Sequence, residues 1–345
     1  GRDAFEAIKR DNTAAYPALV KELEGLSAGS GVPLDTIWVS TLILELESLR
    51  SYPPGGADHC SDLYAVPEAG VSQGFAHGHN EDWPGPIRNF WYLVTYIPLP
   101  GANFEACAGV AYPGALIGWA ASWNANGLYL TQNALFPIHN LPRGISSAFA
   151  QRAALCGAGE GPSGRRASAT LDELLGAVTP SGAADAWSTG ASLNLVSLGE
   201  RRLANVEVLT DSYAVHELDG RKGGNWSHFN LFKLPPFRGH ADERSSSVSS
   251  QHRQARVDAL PPVRSATDVA ARLSDTADEA FPIYRNMTLH TLILDGLSGT
   301  LRMWCCGRRA AFDEPQFTWH LPSFGLHATA DWRGGGASLI SESSH

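Results

Sequence analysis

The stretch from Cys60 to Asn80 constrains the fold more than any other part of the chain. "CSDLYAV" (60–66) and "VSQGFAHGHN" (71–80) each read as a strand, and "PEAG" (67–70) between them reads as a turn. Strands joined so closely must pair antiparallel, since a parallel pair needs a long crossover. The hairpin therefore returns His79 and Asp82 to the neighbourhood of Cys60.

The flanking sequence fits the same scheme. Phe5, Ile8, Tyr16, Leu19, Leu23 and Leu26 recur at helical spacing, "AGSG" (28–31) interrupts them, and "PLDTIWVSTLILELESL" resumes. Residues 1–50 thus read as two helices, followed by a loop of breakers, "YPPGGADH" (52–59). "FWYLVTYIPL" (90–99), "LIGWAASW" (116–123) and, after "NANG", "LYLTQNAL" read as strands. "SSAFAQRAAL" and "TLDELLGAV" read as helices, the second with Thr170 and Glu173 as a capping box. "ASLNLVSLGERRLANVEVL" (191–209) and "TLHTLILDGLSGTLRMW" (288–304) read as hairpins, and "RGHADERSSSVSS" (238–250) as a polar loop. Hairpins mixed with helices predict an α+β layered domain of antiparallel sheets, not a doubly wound parallel one.

Composition excludes some functions. With 43% apolar and 18% charged residues, the chain can bury a large core. A net charge of −9 without a sizeable Lys/Arg cluster argues against nucleic acid and anionic membranes as partners. No apolar run approaches the ~20 residues of a membrane helix. A small-molecule partner is the simpler expectation. The five cysteines, Cys60, Cys107, Cys156, Cys305 and Cys306, are odd in number and irregular in spacing. They predict no disulfide framework and a reducing, cytoplasmic setting. Two sequons, at Asn225 and Asn286, matter only in a secreted protein.

Two motifs carry chemistry. "HGHNED" (77–82) offers His77, His79 and Asp82, with His139 as a further donor, as metal ligands. It is close to the HxHxDH signature of metallo-β-lactamases, but ends Glu-Asp and lacks the supporting βα alternation. A metal-dependent hydrolase centred on His77, His79 and Asp82 is one reading; a solvent-exposed hairpin end is the plain one. Cys60 offers the other chemistry. It follows a Gly/Pro-rich loop, and no histidine lies two positions away to serve as its base. His59 is adjacent and, in a strand, points to the opposite face. Cutting the 59–60 bond would give Cys60 a free α-amine, whose reference pKa of ~7.7–8.0 suits it to take the thiol proton. Without such a cut, a lone cysteine at a strand start is a buried apolar residue.

Several separated stretches carry a resemblance. Cys60-Ser61 opens a strand, "GHNEDW" follows it closely, and "NGLYLTQNAL", "HFNLF" (228–232) and "SSQHRQAR" (249–256) come later in order. The chain resembles the acyl-CoA:6-aminopenicillanate acyltransferase family of N-terminal-nucleophile (Ntn) hydrolases, distantly related to bile-salt and penicillin V hydrolases. In that family these positions read Cys-Thr, Gly-x-Asn-x-Asp, Gly-x-x-x-x-x-Asn-Ala-Leu, His-Thr-Asn-His-Phe and Ser-Ser-x-x-Arg-x-x-Arg. "TLHTLILDGLSGTLRMW" resembles its late strand pair, and "GRDAFEAI" with "LDTIWVSTLILEL" its helical propeptide. The chain departs from the pattern at His59 (Gly in the family), Ser61 (Thr) and Phe229 (Thr).

The resemblance implies an αββα sandwich with a helical propeptide, 1–59, and a mature part, 60–345. It implies self-cleavage between His59 and Cys60, two pieces that stay associated as a heterodimer, and no cofactor or metal. The reaction is then hydrolysis or acyl transfer of a small N-acyl amide through a Cys60 thioester, with a β-alanyl biogenic amine as one candidate substrate. Asp82 orients the new α-amine, Asn133 and Asn230 hold the oxyanion, and Arg253 pairs with Asp82 or the substrate. Arg256 is structural. His79, Asn80 and Trp83 are placed at the substrate, with Asn80 also holding the turn. A binding relic of the fold without catalysis is the remaining alternative.

Overall fold

Two seven-stranded antiparallel sheets face each other between layers of helices. This is a computed structural model, which describes residues 1–49, 59–68, 74–83, 85–98, 104–137, 139–158, 165–235, 237–238, 245–324 and 326–328. The first sheet contains β1 (Ser61–Val66), β2 (Ala76–Asp82), β10 (Gly224–His228), β11 (Thr288–Asp295), β12 (Thr300–Cys305), β13 (Phe317–His320) and β14 (Leu326–Ala328). Its order is β10-β1-β2-β11-β12-β13-β14. The second is a meander in chain order: β3 (Tyr92–Tyr96), β4 (Cys107–Ala111), β5 (Ser122–Asn124), β6 (Leu128–Leu135), β7 (Gly190–Ser197), β8 (Arg202–Leu209) and β9 (Ser212–Asp219).

Alternation along each strand fills three apolar layers. Between the sheets, Tyr64, Leu292, Leu294 and Met303 meet Val110, Trp123, Tyr129 and Val196, and Trp123 meets Trp319 edge-on at 5.1 Å. On the outer face of the second sheet, Leu130, Leu193, Leu195 and Val206 pack under helices. Those helices are α1 (Arg2–Ala15), α2 (Pro17–Ser30), α3 (Leu34–Thr41), α5 (Ser147–Cys156) and α6 (Leu171–Val178). On the outer face of the first sheet, Leu63, Ala76 and Ile293 pack under Val269 and Leu273 of α8 (Ala266–Leu273), while α7 (Ser245–Asp258) lies by β10. The architecture is therefore an α+β, four-layer αββα sandwich, the class that the hairpin-rich sequence predicts.

Four details differ from the sequence reading. The N-terminal helical region is divided into α1, α2, α3 and a short α4 (Ile43–Ser48); Pro17 has no N–H to continue α1 and starts α2, and Gly31, at φ +72°, ends α2. Of the strand expected over 116–123, residues 117–121 form bends and only the end, in β5, is a strand; β4, which no local pattern marks, lies between β3 and β5. Helix α7 already begins at Ser245, inside the stretch read as a polar loop; 239–244 lie outside the described residues, as do 51–58 of the breaker loop and 69–70 of the hairpin turn. Finally, Cys107 of β4 and Cys156 at the end of α5 form a disulfide, with Cα atoms 5.5 Å apart. The cysteine count therefore no longer argues for a reducing compartment. Among the described residues, no helix is long and apolar enough to cross a membrane.

Candidate active site

Cys60 sits immediately before β1 and is buried. In the β1–β2 ladder Ser61 faces Asn80 and Asp62 faces His79. Pleating then divides "HGHNED" between two faces. His77, His79 and Glu81 point between the sheets; Asn80 and Asp82 point toward the outer helix layer.

The inward face forms a buried polar chain that ends at the thiol. Thr131 donates to Asp62 Oδ1 at 2.8 Å, and Asp62 Oδ2 lies 2.8 Å from His79 Nδ1. His79 Nε2 lies 3.0 Å from Glu81 Oε2, and Cys60 Sγ lies 3.7 Å from Glu81 Oε1. Trp83 Nε1 donates to the same Glu81 oxygen at 2.8 Å. His77 Nε2 is 2.9 Å from Asp62 Oδ1, but off the line of a good hydrogen bond. Burial alone would neutralise the His79 ring, yet the Asp62 charge outweighs it and holds its pKa well above the usual histidine value. Burial also pushes Asp62 up, but the His79 charge and its hydrogen bonds hold it well below the carboxylate range. Burial, with the Glu81 charge adding to it, pushes the Cys60 thiol up to about 12. The uncut chain thus carries a protonated thiol beside a carboxylate.

The outward face holds the peptide bond before Cys60. Arg253, on α7, donates to the carbonyl oxygens of His59 (3.1 Å) and Cys60 (2.7 Å), to Ser61 Oγ (2.9 Å) and to Asn230 Oδ1 (2.8 Å). Its guanidinium lies 4.9 Å from the centre of the Phe229 ring. Arg285 Nη2 donates to the same His59 carbonyl at 3.2 Å and lies 3.1 Å from Asp82 Oδ2. Asp82 also accepts from Thr288 at 2.6 Å; burial pushes its carboxyl up, against the opposing charge of Arg285.

The other expected residues fall into distinct places. Asn230 joins the Arg253 cluster and donates to the Ala134 carbonyl at 2.9 Å. Asn133 lies in an inter-sheet network, accepting from Asn194 at 2.7 Å and reaching the His228 carbonyl at 3.4 Å. Asn80 ties β2 outward, donating to the Leu273 and Ile283 carbonyls and accepting from Thr291 at 2.6 Å. Arg256 pairs with Asp275 at 2.8 Å. His139 is exposed.

A narrow pocket of ≈ 10 Å³, room for about one water, adjoins the thiol. Glu81, Trp83 and Trp119 line it from residues after Cys60, and Leu44 of α4 and His59 line it from residues before. His59 does not turn away from the thiol as a strand neighbour would, because it precedes β1. Its ring packs against Trp83 (4.9 Å) and Phe136 (5.4 Å), with Glu47 3.7 Å from Nε2. His77, His79 and Asp82 do not converge as a ligand set. A different trio, Cys60, His79 and Glu81, has donor atoms within 4.8 Å of one another. Both ring nitrogens of His79 face carboxylates, Asp62 at 2.8 Å and Glu81 at 3.0 Å.

Sequence reasoning passed over Glu81 and Arg285. Glu81 was legible: period-two alternation from the Cys60 end of the hairpin places 77, 79 and 81 on one face. Arg285 lies in a loop before β11, and no local pattern marks it.

No protein-family model and no curated protein matches this sequence. Among solved structures, the chain is similar to the Caenorhabditis elegans N-acylethanolamine-hydrolyzing acid amidase ortholog, with 13% identity, a TM-score of 0.47, and 76% of this chain and 100% of that chain covered. It is also similar to a mutant conjugated bile acid hydrolase from Clostridium perfringens, with 10% identity, a TM-score of 0.40, and 81% and 100% covered. Another variant of that hydrolase gives 10% identity and a TM-score of 0.38, with 75% and 96% covered. Likenesses this distant leave the function to be argued from the residues themselves.

Proposed function

We propose that this chain is the uncut precursor of a cysteine Ntn amidohydrolase or acyltransferase, with residues 1–59 as propeptide and 60–345 as the catalytic part. The observation that carries the reading is the placement of Cys60. Its thiol enters the inter-sheet pocket beside Glu81, while the carbonyl before it is gripped from the other side of the strand. Cleavage there would free an α-amine on the residue that also bears the nucleophile. That amine takes the thiol proton, and the thiolate attacks a substrate amide carbonyl. The C–N bond breaks, the amine leaves with the proton, and a thioester remains for water or a second acceptor.

Of the residues to which the family resemblance gives roles, Arg253, Asn230 and Asp82 gather at the strand start, while Asn133 and Asn80 are held elsewhere. Arg253 and Asn230 form one cluster at the strand start, and Asp82 reaches it through Arg285. Trp83 and Trp119 beside a carboxylate suit a small N-acyl amide with an aromatic or cationic part, such as a β-alanyl biogenic amine. Leu44 and His59 form part of the wall of a pocket of only ≈ 10 Å³, so substrate access requires the propeptide end to shift after the cut. Ile8, Leu19, Leu23, Trp38 and Leu42 are buried in the core shared with the second sheet. That burial supports a heterodimer whose pieces stay together.

The test is a hydrolysis screen over acylated aromatic and aliphatic amines, run with Cys60→Ala at matched circular dichroism. Turnover by the wild type that disappears in Cys60→Ala is expected. Undiminished turnover in Cys60→Ala would overturn the reading, and so would a screen in which the wild type cleaves no amide.

A further inference from the structure

The proposed α-amine base exists only after the first cut, so the first cut needs another base. The structure shows what surrounds the uncut bond. Cys60 Sγ has Glu81 Oε1 at 3.7 Å, and the other Glu81 oxygen is held 3.0 Å from His79 Nε2, which Asp62 backs. Trp83 Nε1 fixes the first Glu81 oxygen at 2.8 Å. On the opposite face, the His59 carbonyl oxygen accepts from two guanidinium groups, Arg253 at 3.1 Å and Arg285 at 3.2 Å. A backbone carbonyl held by two fixed cations is placed for negative charge to develop on it.

We infer that Glu81 and Arg285 are catalytic residues of self-cleavage: Glu81 takes the Cys60 thiol proton, and Arg285 shares with Arg253 the oxyanion formed on His59. This inference rests on the proposed function above. Sγ attacks the His59 carbonyl carbon through a five-membered ring as its proton passes to Glu81 Oε1. The tetrahedral oxyanion is held between Arg285 and Arg253. When it collapses, the His59–Cys60 C–N bond breaks and Glu81 returns the proton to the departing nitrogen. The result is a thioester from His59 to Sγ and a free α-amine on Cys60. Water then hydrolyses the thioester, leaving a carboxylate on His59 and the thiol on Cys60. Asp82, which accepts from Thr288 and forms an ion pair with Arg285 at 3.1 Å, holds that guanidinium in place and is a positioning residue. His79 keeps Glu81 aimed at the thiol.

The experiment follows conversion of the full chain, made by in vitro translation with labelled methionine, to its large piece on a gel. Both methionines, Met287 and Met303, lie in that piece. Wild type, Glu81→Gln, Glu81→Asp and Arg285→Met are compared. Glu81→Gln is expected to slow conversion at least ~10²-fold, the usual scale for a general base. Arg285→Met is expected to slow it about 10²-fold, the scale for one oxyanion donor. Glu81→Asp keeps a carboxylate and is expected to fall between wild type and Glu81→Gln. Wild-type conversion rates in Glu81→Gln or Arg285→Met overturn the inference. If Glu81→Gln does not fold, Glu81→Asp and Arg285→Met decide, and a wild-type rate in either overturns it. A wild type that never converts overturns the self-cleaving function itself, which separates the two failures.

Discussion

Asp62→Asn probes the polar chain behind the thiol. Asp62 is fully buried and uses both carboxylate oxygens, one for Thr131 and one for His79. Asparagine has a single acceptor oxygen, so its NH₂ must face either the Thr131 hydroxyl or the His79 N–H. A buried donor left without its acceptor costs about 1–3 kcal/mol. The imidazolium also loses one of its two flanking carboxylates, and breaking a buried pair costs about 3–5 kcal/mol in all. The dependence on pH has a definite sign. The raised folded-state pKa of His79 gives stability that is complete below the unfolded value, ~6.5, and is lost as pH rises through the folded value. The depressed folded-state pKa of Asp62 gives stability that is present above ~3.9 and is lost as pH falls through the folded value. The wild-type advantage should therefore be greatest between roughly pH 4 and 6.5 and shrink at alkaline pH. Urea unfolding followed by tryptophan fluorescence, with both chains carrying Cys60→Ala to prevent cleavage, measures it. An advantage below about 1 kcal/mol near pH 6, or one unchanged up to about pH 9, would refute the buried imidazolium–carboxylate pair.

Two further outcomes are expected. Asp82→Asn should slow maturation about 10²-fold, the scale for misplacing a reacting group by about 1 Å, because Arg285 loses its anchor; a gel time course at unchanged circular dichroism checks it. The Cys107–Cys156 bridge closes a loop with a sequence separation of 49, and chain entropy sets its contribution at about 4 kcal/mol. The double alanine variant should lower the urea midpoint accordingly, and the denatured, non-reduced wild type should show three free thiols, Cys60, Cys305 and Cys306.

The parts of this fold that were legible in the sequence are those where local pattern and tertiary role agree. The β1–β2 hairpin, the β7–β8 and β11–β12 hairpins, and helix α6 with its Thr170 cap follow from alternation, turn residues and capping. Strand β4 was not legible, because all five of its residues are buried and small ones dominate, so no alternation remains. The start of α7 reads as loop because serine is a weak helix former. Its serines have a tertiary use instead: Ser249 accepts from Arg253 at 3.2 Å, and Ser250 accepts from the Asn230 N–H at 2.9 Å. Residues 116–121 look like a strand, but Gly118 has φ +131°, and an added Cβ there would lie 2.7 Å from the Arg152 nitrogen of α5. The disulfide pairs residues that only the fold brings together. At the site, Cys60 and the acidic wall opposite it were readable; the assignment of Glu81 to the thiol and Arg285 to the scissile carbonyl needed the register and the loop.

The most direct measurement is intact-mass spectrometry of freshly purified protein, with N-terminal sequencing of the larger piece. Cutting the 345-residue chain after His59 gives pieces of 59 and 286 residues. The account expects both masses in one co-purifying complex and a large piece that begins Cys-Ser-Asp-Leu. A single uncut chain that hydrolyses amides at full rate would contradict it, because the α-amine could not then be the base.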